Sequence, residues 1–216
     1  AMICSTGNED TPLGIYNTQE KYVFRRLLYD VYGQYATRIF GQILFHSASY
    51  TNGYKDTLIA EEFNKLGSSA SHGCIRLTTE DAKWIYDYCK IGTTVEIYED
   101  DNPGPLGKPE MIKIPEDSVW DPTDVDPANP WNNYKPNINA DNMIISVGGS
   151  IDFFENVTAF DTCGNDITDK LLVIGNVDTD TEGMYKVTYR VTDLIGRSTE
   201  KTICIEVKGN EINGNS

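Results

Sequence analysis

Residues 68 to 82 read SSASHGCIRLTTEDA, which sets Ser71, His72, Gly73 and Cys74 side by side. The chain has two histidines, His46 and His72, and both fall in the same short stretch as Cys74. A thiol attacks as its thiolate, and an imidazole close by can take the proton. Residue types alone leave three readings open. His46, His72 and Cys74 could share a metal, although His and Cys two apart, with no second Cys nearby, is not a spacing that structural zinc favours. Cys74 could be a packed thiol beside a hydrogen-bonding histidine, but Gly73 between the two points to a backbone that turns sharply or is closely approached. In the third reading Cys74 is a nucleophile at the end of a loop, where the N–H groups around Gly73 and Cys74 can hold a developing oxyanion.

The elements that would carry these residues can be read around them. From Ile15 to about Phe45 the chain is rich in Tyr, Val, Phe, Ile and Leu, interrupted by Gly33 and Gly41, which predicts strands separated by turns. Residues 51–70 are polar with one short amphipathic stretch near Leu58 to Leu66, expected to loop out with a helical turn or two. After Cys74, Thr78 followed by Asp81 has the form of a capping box, and Ala82, Ile85, Tyr86 and Cys89 recur at helical spacing. A helix is expected over 79–90, ended by Gly92 and followed by the strand TVEIY. Cys89 then faces the core, and Cys4, at a strand end, is expected to be a packed thiol.

A chain of 216 residues accommodates two domains. Residues 101–137 are dense in Pro, Asp, Asn and Gly and read as a linker, with Trp120 and Trp131 expected to dock part of it on one domain. From Ile138 short alternating runs such as MIISV and MYKVTYRVTD, punctuated by turns, predict a small β-sandwich over 138–210. Cys163 and Cys204 could be bridged there if their strands meet. No apolar run approaches the roughly 20 residues needed to span a bilayer. The formal charge of -15 argues against a nucleic-acid partner, whose phosphates call for Lys and Arg.

The hexapeptide SHGCIR resembles the active-site motif of the YkuD-type L,D-transpeptidases, which cross-link peptidoglycan. Two further stretches are similar to that family in the same order: CSTG with TPLG, Cys4 to Gly7 and Thr11 to Gly14, and ILFHS, Ile43 to Ser47, which looks like the strand carrying the family's histidine. The resemblance covers about residues 2 to 98. It implies a mainly β fold: a mixed-sheet catalytic domain over 1–100 with a short helix after the nucleophile. Residues 138–208 look similar to bacterial immunoglobulin-like domains, through VTAFDTCGNDIT and GMYKVTYRVTDLIGRS. Twenty-five residues lie between His46 and His72, several more than is usual for the family, so 50–70 is expected to form an insertion and a candidate lid. The family's opening strands are expected upstream of Ala1, with any export signal or membrane anchor.

Carried over residue by residue, the resemblance implies Cys74 as nucleophile and His46 as general base, with Ser47 orienting the imidazole. His72 and Gly73 fall in the segment that shapes the oxyanion hole, while Arg76 and Ser71 lie where the family contacts the peptide substrate. The implied reaction is thioester formation on a tetrapeptide stem followed by a 3-3 cross-link, outside the cell in the wall, with no metal or organic cofactor. The implied partners are donor and acceptor stem peptides, with carbapenems as acylating inhibitors. Two alternatives are trimming of stems as an L,D-carboxypeptidase, and a non-catalytic wall-binding or adhesion protein.

Overall fold

The computed structural model describes residues 1–7, 9–102 and 104–209. The chain is mainly β and divides into two compact units, Ala1–Asn133 and Tyr134–Ser216.

In the first unit, strands β2 (Lys21–Arg26), β3 (Tyr32–Phe40), β4 (Ile43–Ser47) and β6 (Ile75–Leu77) form one sheet in that order, and β5 (Ser49–Tyr50) returns to pair with β3. A separate pair joins β1 (Gly14–Asn17) to β7 (Thr94–Ile97). Gly41, at φ +49, makes the tight turn between β3 and β4. Gly33 does not break a strand as expected from its type; it lies inside β3, for a reason that belongs to the site. Strands β4 and β6 run parallel, with His46 opposite Arg76 and Phe45 opposite Ile75.

Side chains alternate across a strand, so this register sorts the motif residues by face. Ile75, Leu77 and Phe45 face α2 (Thr79–Tyr88), where Leu77, Ala82 and Ile85 form a buried cluster with Phe45 and Cys89 against it. Leu44, His46, Cys74 and Arg76 line the opposite, hollow face. The expected capping box is partly formed, with Thr78 Oγ1 accepting from the Asp81 N–H at 3.2 Å. The helix ends at Tyr88, two residues before the expected limit, with Cys89 as its C-cap.

The N-terminal segment lies along the free edge of β6: the Ser5 N–H donates to the Arg76 carbonyl at 2.9 Å, and the Ser5 carbonyl accepts from the Arg76 N–H at 2.8 Å. Ile3 and Ser5 point inward in this extended run, and Cys4 points outward to solvent, contrary to the expected packed thiol. The insertion is ordered around a short helix, α1 (Ala60–Asn64), whose Phe63 is fully buried.

Residues 104–133, expected to be linker, are packed into the first unit. Ile112 and Ile114 are buried, and so are the polar Asp121, Asp124 and Asn129. Trp120 and Trp131 are only half-buried, so small aliphatics and carboxylates hold this segment more than the aromatic rings do.

The second unit contains a four-stranded sheet ordered β11 (Leu172–Ile174), β12 (Gly183–Thr192), β13 (Ser198–Lys208), β9 (Met143–Ser146), and a pair of β10 (Thr158–Phe160) with β8 (Asn137–Asn139). Its core is Ile138, Val187, Tyr189, Val191, Ile203 and Ile205. Asp193 and Gly196 close the β12–β13 hairpin, Asp193 Oδ1 accepting from the Ile195 and Arg197 N–H groups. Cys163 and Cys204 are both free thiols.

Candidate active site

His46 is 1% exposed, and its Nδ1 lies 2.6 Å from the Ser47 carbonyl oxygen. A carbonyl only accepts, so Nδ1 carries the proton and Nε2 is left with its lone pair. Burial, together with the Arg76 charge across the strand pair, lowers the imidazole pKa from 6.5 to about 4. The ring is a neutral base at neutral pH. Gly33 supplies its backing: a Cβ there would stand 2.7 Å from His46 Nδ1 and 2.8 Å from its Cβ and Cγ. Glycine is required in β3 because the imidazole lies directly on its backbone.

Cys74 is half-buried on the same hollow face. Its Sγ donates to the Gln42 carbonyl at 3.5 Å. Burial pushes the thiol pKa up, and the Leu44 N–H and the charges of Arg76 and Arg38 oppose that shift. Both shifts favour a neutral thiol and a neutral imidazole over a preformed thiolate and imidazolium.

The loop that presents Cys74 is tied at several points. Gly73 has φ +108, and a Cβ there would meet the Asp10 carbonyl oxygen and Ile43 Cδ1, each at 2.7 Å. Thr11 Oγ1 donates to the Gly73 carbonyl at 3.0 Å and accepts from the Gly7 N–H at 2.8 Å. The Thr6 carbonyl takes the N–H groups of Ala70 and Ser71. The CSTG and TPLG stretches, distant in sequence from Cys74, thus form the scaffold of its loop. Ser71 Oγ donates to the Cys74 carbonyl at 2.5 Å and receives the Gly73 N–H at 3.2 Å, so its hydroxyl fastens the turn from within.

Ser47 does not orient the imidazole through its hydroxyl. That group accepts from the Gln34 N–H at 2.8 Å and donates to the Ala48 carbonyl, and it is the main-chain carbonyl of residue 47 that holds His46. Arg76 faces the cavity with its guanidinium paired to Glu62 of α1, which also binds Lys65. His72 is exposed at the rim, its ring edge-on to Tyr29 at 5.2 Å between centroids.

His46, Cys74, Arg76, Ser71 and His72 all line one cavity of about 610 Å³. Its far walls are the β2–β3 hairpin tip, with Arg25, Arg26 and Tyr29, and the insertion, with Ile59, Glu62 and Lys65. Residue types did not reveal Gly33, Thr11 or Glu62 as parts of this site. Thr11 was visible only inside the TPLG resemblance, and Gly33 was indistinguishable from a turn glycine. Among the described residues no group of three His, Cys, Asp or Glu could hold a metal, and no helix is long and apolar enough to cross a membrane.

Cys74, at the head of β6 and after the Gly73 turn, and the buried His46, on the parallel neighbour β4, thus bring a thiol and an imidazole to one cavity. Residues 1–97 match the L,D-transpeptidase catalytic domain family (YkuD), and residues 138–207 match the bacterial surface protein Ig-like domain. The chain thus carries a YkuD-family catalytic domain followed by a bacterial surface Ig-like domain.

A Bacillus subtilis protein named as a candidate L,D-transpeptidase, YciB, is 51% identical over 57 residues, 26% of this chain and 28% of the relative. The pesticidal crystal protein Cry22Aa of Bacillus thuringiensis is 38% identical over 80 residues, 35% of this chain and 11% of that protein. This chain therefore spans less than a third of either curated relative. A crystal structure of an L,D-transpeptidase from Mycobacterium tuberculosis is similar at 33% identity over 45% of this chain and 42% of that one, with a TM-score of 0.36.

Proposed function

We propose that the first unit is a cysteine-dependent L,D-transpeptidase acting on peptidoglycan stem peptides. The observation that carries this is the pairing of Cys74 with His46 in one cavity, where the Ser47 carbonyl occupies Nδ1 and leaves Nε2 as proton acceptor. The neutral pair argues that proton transfer accompanies attack: Nε2 takes the thiol proton as Sγ bonds to the carbonyl carbon of the third residue of a tetrapeptide stem. The oxyanion is held by the Cys74 main-chain N–H, and the Gly73 N–H joins it only by releasing its bond to Ser71 Oγ. As the tetrahedral intermediate collapses, the imidazolium returns the proton to the departing D-alanine amine, leaving a thioester. An amine from the third residue of another stem then attacks, its proton passing to His46, and a 3-3 cross-link forms as Sγ is released. Arg76, steered by Glu62, and the neighbouring Arg25 and Arg26 supply positive charge for stem carboxylates. Carbapenems are expected to acylate the same sulfur. Both domain matches support a location at the cell envelope.

Water in place of the amine makes the same intermediate a carboxypeptidase. Incubation with a defined tetrapeptide stem, read by mass, separates the outcomes: a cross-linked dimer supports transpeptidation, tripeptide alone supports trimming. Neither product from folded protein, with a Cys74→Ala variant indistinguishable from the parent, would favour a non-catalytic surface protein.

A further inference from the structure

The family match ends at residue 97, yet the packed chain of the first unit continues to Asn133. This continuation runs from the insertion to the sheet. Asn64 of α1 exchanges two hydrogen bonds with Ile114, both at 2.9 Å, and the Leu58 N–H donates to the Val119 carbonyl. Asp121 Oδ2 then accepts from the Thr79 N–H at 2.8 Å, and Thr123 Oγ1 accepts from the Glu80 N–H at 3.2 Å. These are the first two amides of α2, the helix that follows the Cys74 strand.

Three residues on, Asp124 is 1% exposed, and its Oδ2 accepts from Gln34 Nε2 at 3.3 Å. Gln34 is fully buried, and its other amide atom, Oε1, has no partner. A buried amide oxygen without a partner is a cost to folding, so its retention calls for a reason. The surroundings of Gln34 supply one. Its main-chain N–H holds the Ser47 hydroxyl at 2.8 Å, and the preceding residue, Gly33, is the surface on which the His46 ring lies. Of the two β3 residues that contact His46 and Ser47, Gln34 is thus itself held by a carboxylate from outside the matched domain, and Gly33 is its chain neighbour. Lys55, 3.8 Å from Asp124 Oδ1 and 2.7 Å from Asp126 Oδ2, balances the charge.

We propose that Asp124 is a positioning residue for the proposed general base, acting through Gln34, and that residues 108–129 are a working part of the catalytic unit. This rests on the reading of His46 as the base, so the test separates the two. In the full chain, isotope-labelled imidazole NMR reads the tautomer and environment of His46, while intact mass reads the rate at which a carbapenem acylates Cys74.

Asp124→Ala is expected to shift the His46 signals and slow acylation about tenfold, in the range that a small misplacement of a catalytic group produces. Asp124→Asn, which keeps an oxygen for Gln34 Nε2, should restore both to near wild type. If Asp124→Ala does not fold, Gln34→Met removes the same contact, leaves the Asp124–Lys55 pair, and should give the same two changes. Lys55→Met, which spares the Gln34 contact, should leave the His46 signals in place. Unchanged His46 signals in Asp124→Ala or Gln34→Met overturn the proposal whatever the acylation rate. A wild-type chain that folds and never acylates defeats the enzymatic reading instead, and the NMR comparison still decides whether Asp124 positions the ring.

Discussion

Gly33→Ala is the smallest change that should disable the site while leaving both His46 and Cys74 in the sequence. The added Cβ would stand 2.7 Å from His46 Nδ1 and 2.8 Å from its Cβ and Cγ. Ordinary carbon contacts lie at about 3.5–4.0 Å, so the two strands or the ring must separate by roughly 1 Å. The atom met at Cβ belongs to the stem of a side chain fixed in β4 and 1% exposed, not to a flexible tip. Its backbone conformation suits alanine, since Gly33 is not among the positive-φ residues, which leaves the collision as the whole effect. Overpacking of this kind costs about 1–3 kcal/mol. A general base displaced by about 1 Å costs on the order of 10²-fold in rate. The assay is the rate of carbapenem acylation of Cys74 by intact-protein mass, with melting temperature measured alongside. Gly53→Ala serves as control, because its nearest neighbour would be Tyr32 Cδ1 at 4.0 Å. A Gly33→Ala protein that acylates as fast as wild type would refute the placement of His46 on that backbone.

The lowered pKa of His46 has a defined sign. The folded chain binds fewer protons at this site than the unfolded chain between about pH 6.5 and about 4, so stability rises with pH across that window and is progressively lost on acidification. The difference is on the order of 3 kcal/mol, and thermal melts from pH 8 to 4 should show it, with His46→Gln flattening the slope. For the same reason the acid limb of Cys74 acylation should fall near pH 4 and not near 6.5, as a pH–rate profile would reveal. Thr11→Val removes the hydroxyl that accepts from the Gly7 N–H and donates to the Gly73 carbonyl, at nearly constant volume; it should destabilise by about 1–3 kcal/mol and slow acylation, read by melting and by mass. Asp121→Ala strips the Thr79 N–H of its partner and should cost about 1–2 kcal/mol in a denaturant titration.

The parts of this arrangement that could be read from sequence are those set by local chemistry. Thr78 and Asp81 announce the α2 cap, and a rare pair of histidines near a Gly-Cys step marks the site. What stayed hidden depends on which strands become neighbours. Gly33 reads as a turn because its single-residue signal is the same whether the chain bends there or an imidazole lies on it. Ser47 reads as a neighbour that orients the ring, but which of its atoms does so is not legible: the atom that bonds the imidazole is a carbonyl that any residue carries, and the hydroxyl meets the Gln34 N–H. The Pro- and Asp-rich run after residue 100 has the composition of a free linker. Its carboxylates are buried because Asp121 meets the open end of a helix and Asp124 meets a buried amide, pairings that no local pattern encodes. Cys4 shows the converse: its place at a strand end suggests packing, but the alternation of an extended segment sets its side chain outward.

The central claim is that residue 74 carries the acyl group and residue 46 moves the proton. Brief exposure of the full chain to a defined tetrapeptide stem, followed by whole-protein mass and peptide mapping, tests it most directly. The account predicts one adduct, of the stem less its terminal D-alanine, located on Cys74, released by hydroxylamine, and absent from Cys74→Ala and His46→Ala. An adduct on another cysteine such as Cys4, or its persistence at wild-type level in His46→Ala, would contradict it.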